Sequence, residues 1–228
     1  MKVRVDSVWA GEDIFLIGGG ASLSGFDFQL LKGRRVIGVN EAFTLGVDIV
    51  PVVIFGDGGW FHRRRSDLTQ YHKSGGWIFS ISTSLEKQDV PMLRQVRRVT
   101  TGLFSGDALG WNSSTGAAAI NLAISMGGRN IFLLGYDLTK DKEGESHWHS
   151  NYPHITRESS FNNFARGFAD VHRSLKKFPF VRVINVTDGS SRLPLFERLC
   201  FEGLKERLHG TGKENAEAEG RLVGSQRD

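Results

Sequence analysis

Cysteine is nearly missing from this chain: Cys200 is the single one among 228 residues. That excludes an internal disulfide and any site built from several thiolates. Cys200 sits in an apolar helical pattern and reads as a buried structural thiol. No apolar run approaches the roughly 18 residues of a membrane span, and no signal-peptide pattern opens the chain, so no membrane span and a cytoplasmic location are expected. A D-x-D metal motif is absent. The glycine run near the N-terminus lacks the G-x-G-x-x-G spacing of a dinucleotide fold. The one dense basic run, Arg63 to Arg65, has no nucleic-acid motif around it and reads equally well as a solvated helix face, so nucleic acid is not an expected partner. The net charge of +4 tilts the chain toward anionic partners without identifying one.

What is present suits an ordinary folded protein, with 39% hydrophobic and 24% charged residues. Apolar runs predict strands at 13–17, 36–39, 48–55, 77–81, 131–134 and 180–186. Segment 94–99 can hold another. Between them, helical spacing predicts helices at 26–31, 61–73, 117–124, 159–177 and 193–208. Strands alternating with helices, and polar or glycine residues gathered at successive strand ends, argue for an α/β fold: a single Rossmann-like domain over 1–208, a mostly parallel sheet with helices on both faces. Residues 209–228 have almost no large apolar side chain and are expected to form a disordered tail.

The stretch from Asn112 to Leu138 carries most of the chemistry. Ser113, Ser114 and Thr115 can cap the helix that follows, and Gly116 leaves room above its first turn, where unpaired N–H groups suit a phosphate or carboxylate. Gly135, Tyr136 and Asp137 stand at the C-terminal end of the next strand, where open α/β sheets place ligands. The same position after the first strand holds Gly18, Gly19, Gly20 and Ser22, glycines that allow positive φ and close approach of a ligand to the backbone. Asn40 ends the second strand and Asp57 the third, the latter as a ribose acceptor or metal ligand. A long loop at 139–156 holds His147, His149 and His154. These suit general acid/base chemistry or phosphate contact, a zinc site with His154 or Asp137, or an aromatic–histidine structural cluster. Phe161, Phe164 and Phe168 recur at helical spacing and read as core.

Taken in order, G-G-G-A-S-L, V-N-E-A-F, N-S-S-T-G before A-I-N-L-A, and L-L-G-Y-D-L resemble the superfamily that joins bacterial lipo-oligosaccharide sialyltransferases to the archaeal hydroxymethylpterin diphosphokinase-like proteins. F-G-D-G-G-W-F, H-W-H-S-N-Y-P and V-I-N-V-T-D-G-S-S look closer to a branch found in phage and prophage genomes. The resemblance covers residues 12 to 208. It implies a nucleotide pocket formed by Gly18, Gly20, Ser22, Asn40, Ser114, Thr115, Gly116 and Asp137, with Gly19, Asp57, Asn112, Gly135 and Tyr136 beside them. In the sialyltransferases the glycine loop reads G-N-G-P-S-L, so Gly19 replaces an asparagine and one side-chain contact is missing. His147 or His149 would be the general base, although both follow the Gly-Tyr-Asp turn sooner than the sialyltransferase base does.

The implied activity is transfer from a nucleotide-activated small-molecule donor, as in a metal-independent, sialyltransferase-like glycosyltransferase. One alternative is ATP-dependent diphosphate transfer to a hydroxymethyl group, with Mg²⁺ on carboxylates such as Asp57 and Asp137. Another is a nucleotide-binding or phage-associated assembly protein without turnover. No motif specifies the acceptor or the oligomeric state.

Overall fold

The computed structural model describes residues 2–149, 156–189 and 191–210. His154, Ser190 and residues 211–228 of the tail expected from residue 209 lie outside the described residues, while residues 209 and 210 still belong to the closing helix.

Among the described residues, eight strands form one sheet in which every adjacent pair is parallel. In chain order they are β1 (Asp13–Ile17), β2 (Arg35–Val39), β3 (Val52–Phe55), β4 (Trp77–Ser80), β5 (Leu93–Gln95), β8 (Asn130–Leu134), β9 (Arg182–Val186) and β10 (Glu197–Leu199). A two-stranded parallel ribbon pairs β6 (Arg98–Val99) with β7 (Leu109–Gly110). The sheet order is β10-β9-β8-β1-β2-β3-β4-β5. Successive connections step away from β1 in one direction as far as β5, then cross back to β8 on its other side. The crevice outside the ends of β1 and β8 is therefore the topological switch point.

The central strands are apolar on both faces because both faces are covered. Ile14, Leu16, Ile131 and Leu133 pack toward α2 (Thr115–Ser125) and α3 (Glu158–Ser174). Phe15, Ile17, Phe132 and Leu134 pack toward the opposite side with Leu204 and Leu208 of α4, residues 201–210. Phe15 and Phe132 are register partners, and their rings stack with centroids 5.1 Å apart. Farther along the sheet, Val53, Phe55 and Ile78 pack with Phe61, Leu68 and Tyr71 of α1 (Gly58–Lys73). Every residue of α2 except Gly116 is buried. Its small side chains let it sit between sheet and α3, and its one buried side-chain amide is bonded at both ends. Asn121 Oδ1 accepts from the Phe104 and Gly110 N–H groups, and its Nδ2 donates to the Phe104 carbonyl.

Several expected boundaries move. The third strand begins at Val52, after Pro51, rather than at residue 48. The helix expected at 26–31 is a 3-10 turn over Phe28–Leu31. The closing helix expected from residue 193 starts at 201, because Glu197–Leu199 pair with β9 as an edge strand. Cys200, expected inside, is exposed. Arg64, read as part of a solvated run, turns inward to the buried Glu41, donating from Nε at 2.9 Å. Among the described residues no helix is long and apolar enough to cross a membrane.

Candidate functional site

The entry to α2 is built by backbone that side chains hold in place. Asn112 and Ser113 both take positive φ, 44° and 63°. The Asn112 amide fixes that bend by accepting from the Gly102 N–H at 2.8 Å and donating to the Gly102 carbonyl at 3.0 Å. Ser114 then caps the helix, its Oγ accepting from the Ala117 N–H at 3.0 Å. Helix geometry leaves the N–H groups of Thr115 and Gly116 without a partner along α2, and both residues form part of the wall of a cavity. Trp111, another part of that wall, is seated by Gly56 at the end of β3. A Cβ there would lie 2.5 Å from the indole ring.

Gly18, Gly19 and Gly20 are small for a different reason than the sequence suggests. None of them has positive φ. Gly18 and Gly20 are glycines because the segment just after β8 lies against them: a Cβ on Gly18 would sit 2.6 Å from the Gly135 carbonyl oxygen, and one on Gly20 2.4 Å from Asp137 Oδ2, whereas Gly19 faces His147. The Gly18 and Gly20 N–H groups donate to Leu134 and Gly135 carbonyls, each at 2.8 Å. Ser22 closes the junction, donating its N–H at 2.9 Å and its hydroxyl at 2.7 Å to the two Asp137 carboxylate oxygens. Burial pushes the Asp137 pKa up, against the pull of those Ser22 bonds. Asp137→Ala leaves both Ser22 donors unpaired and is expected to cost about 1–3 kcal/mol. Asp137→Asn keeps one acceptor and removes the buried charge, so its cost is expected to be smaller; urea midpoints of the two variants check this order.

The carbonyls of the glycine loop anchor the histidine segment. Trp148 donates its N–H to the Gly19 carbonyl at 3.1 Å and its Nε1–H to the Gly18 carbonyl at 2.9 Å. The same indole packs on Phe28, centroids 5.0 Å apart. His147 Nδ1 lies 3.3 Å from the Gly19 oxygen and Nε2 lies 3.1 Å from Thr156 Oγ1. A carbonyl only accepts, so the Nδ1 bond requires the proton on that nitrogen, and in the neutral ring Nε2 is left as the basic atom receiving the Thr156 hydroxyl. Burial holds the His147 pKa below the ordinary imidazole value, with the Gly19 bond and the Glu145 charge opposing the shift. His149 stacks on His147 with ring centroids 5.4 Å apart. Burial first, then the His147 charge, pushes it down to about 4.

These pieces surround one cavity of about 320 Å³ in the β1/β8 crevice. It brings together Gly18, Gly19, Gly20, Asn40, Ser114, Thr115, Gly116, Gly135, Tyr136, His147 and His149. Four other candidates stand outside the lining. Ser22 and Asp137 are engaged with each other, Asn112 braces the α2 entry, and Asp57 caps α1 by accepting from the Gly59 N–H at 2.8 Å. The carboxylates considered for Mg²⁺ thus do not meet in the cavity. Among the described residues no cluster of three or more His, Cys, Asp or Glu could hold a metal.

The cavity also has a wall the sequence reading assigned elsewhere. Phe161, Phe164 and Phe168 of α3 line it, although Phe161 and Phe168 are also buried. Tyr136 joins them, edge-on to Phe168 and with its hydroxyl donating to the Gly116 carbonyl at 3.3 Å. Thr156 and Ser146 were not singled out either, and no local motif marks them. The Ser146 hydroxyl accepts from the Thr156 N–H at 3.1 Å and sets that residue against His147.

No protein-family model and no curated protein matches the sequence. Solved structures do match the fold. The sialyltransferase CstII from Campylobacter jejuni, in complex with the substrate analogue cytidine-5'-monophosphate, aligns with a TM-score of 0.53 at 12% identity, over 83% of this chain and 85% of that one. The same enzyme with CMP-3FNeuAc gives 0.51 at 13% identity, over 82% and 86%. The mostly parallel α/β fold is thus that of bacterial sialyltransferases.

Proposed function

We propose that this chain is a transferase acting on a nucleotide-activated donor, most closely a sialyltransferase-like glycosyltransferase. One observation carries the reading: a single cavity at the switch point holds both the first-turn amides of α2 and a neutral histidine whose Nδ1–H is committed to the Gly19 carbonyl. The amides of Thr115 and Gly116, with the Ser114 hydroxyl proton, would hold the donor phosphate and stabilise the charge that grows on it. The acceptor hydroxyl attacks the anomeric carbon, the bond from that carbon to the phosphate oxygen breaks, and its electron pair leaves with the nucleotide. His147 Nε2 takes the hydroxyl proton, and the Gly19 carbonyl steadies the resulting imidazolium.

Fold likeness alone does not choose the donor. The CstII complexes contain CMP and a CMP-sugar analogue, which makes a cytidine nucleotide the first to try. Gly19 departs from the sialyltransferase loop in a way that fits His147: a Cβ at residue 19 would lie 3.1 Å from His147 Nδ1. The chain lacks the loop side chain and has the histidine in that space.

Isothermal titration and thermal melts with CMP, UDP, ADP and ATP, each with and without Mg²⁺, test the proposal. CMP is expected to bind without metal and, at a hundredfold excess over its Kd, to stabilise the fold by about 2.7 kcal/mol. Binding of ATP only with Mg²⁺ would support diphosphate transfer instead. Silence from every nucleotide would sink the transferase reading.

A further inference from the structure

The ribbon of β6 and β7 does little for the main sheet, yet it stacks one cation on a wall residue of the cavity, Arg98 itself standing behind that wall rather than in the lining. Arg98 is the register partner of Leu109, and the Trp111 N–H donates to the Val99 carbonyl at 2.7 Å. The ribbon thereby lays the Arg98 guanidinium over the Trp111 ring, 4.2 Å from its centroid. Trp111 lines the cavity, and its carbonyl accepts from the N–H of Ser114, the α2 cap. Other arginines are paired: Arg97 with Asp107 at 3.2 Å and Arg64 with Glu41 at 2.9 Å. Arg98 is partly buried and, among the described residues, has no carboxylate partner. Burial lowers its pKa, and no acidic group offsets that cost. Trp111 stands directly before the bend that leads to the Ser114 cap, so a cation on its ring adds to the positive end of α2. Stacking on the indole returns only about 0.5–2 kcal/mol. The arrangement becomes favourable when an anion joins it.

We infer that Arg98, braced on Trp111, is a specificity residue of this cavity and contacts a phosphate group of the ligand at the α2 end. The inference rests on the cavity being the ligand site proposed above and adds the residue that selects for the ligand's charge.

Titration of the full chain with CMP, cytidine and inorganic diphosphate tests it, comparing the wild type with Arg98→Met, which keeps an apolar stem over Trp111, and with Arg98→Lys. Arg98→Met is expected to weaken CMP binding about tenfold and to flatten its salt dependence, because a charge-assisted bond is lost. Cytidine affinity should not change, and Arg98→Lys should fall between. Equal CMP affinity in wild type and Arg98→Met overturns the inference. So does an equal loss for CMP and cytidine, the mark of a structural role. If Arg98→Met melts early, Arg98→Lys decides by the same CMP-to-cytidine ratio. Wild type that binds diphosphate through Arg98 but ignores CMP keeps the anion contact and removes the nucleotide reading; a chain that binds neither anion overturns both.

Discussion

His147→Asn is expected to reduce turnover by about 10²- to 10⁴-fold while leaving donor affinity nearly unchanged. Asparagine places an N–H donor close to where Nδ1 stands, so the Gly19 carbonyl keeps its partner and the segment its anchor. What is lost is the basic Nε2. Because burial holds the His147 pKa below the ordinary imidazole value, the wild-type base is unprotonated at neutral pH, and the rate should fall only on the acid side. Stability should follow the same direction. Both histidines bind protons more weakly in the folded chain than in the unfolded one. Their contribution is therefore fully present above the ordinary 6.5 and, for His149, is lost as pH falls toward about 4. Melting temperatures across that window, in wild type and His149→Asn, check the sign: the variant should show the shallower acid loss. A rate profile indifferent to His147 would remove it as the base.

Gly167→Ala is expected to destabilise the fold by about 3 kcal/mol or more, a cost at the upper end of overpacking effects. In the middle of a helix this exchange usually gains about 1 kcal/mol, so the reversed sign is diagnostic. The cause is contact with backbone: a Cβ on Gly167 would lie 1.7 Å from the Asn112 carbonyl oxygen and 2.6 Å from its carbon. No side chain can rotate away to make room. Either α3 lifts, carrying Phe161, Phe164 and Phe168 with it, or the bend that presents Ser114 shifts. Nucleotide affinity should fall together with the denaturation midpoint. Gly189→Ala, with nothing within 4 Å of the new Cβ, is the matching control and should be close to neutral.

The strands and the α2 cap were legible in the sequence because each rests on local pattern: continuous apolar runs in a sheet covered on both faces, and a hydroxyl before an apolar helix. The gathering of glycines and polar residues at strand ends pointed to the edge of the sheet where the cavity lies. What the sequence could not separate was why a small or polar residue stands at such an end. Asp57 and Asp137 both looked available to a ligand, yet one caps α1 and the other fastens Ser22. Gly18 and Gly20 looked like room for a ligand and are room for Gly135 and Asp137. Phe161, Phe164 and Phe168 follow core spacing because most of the α3 stripe is core; only the placement of α2 turns part of it toward the cavity. β10 was hidden because Leu193 to Leu199 fits helical spacing, and its strand character comes from pairing with β9.

The place of β1 in the sheet also sets the order in which the molecule can assemble. One neighbour, β2, follows soon in the chain, but the other, β8, is joined through contacts such as Asn130 to Asp13, 117 residues apart. The closing helix returns from still farther, with Arg207 reaching Asp13 across 194 residues. A nascent chain that has emerged only through β5 would expose the open edge of β1 and the apolar faces that α2 and α4 later cover. Contacts of such separation fold slowly, and unpaired edges of this kind invite association with other chains. The crevice, lying between the first strand and the late-joining β8, would be among the last parts of the molecule to exist.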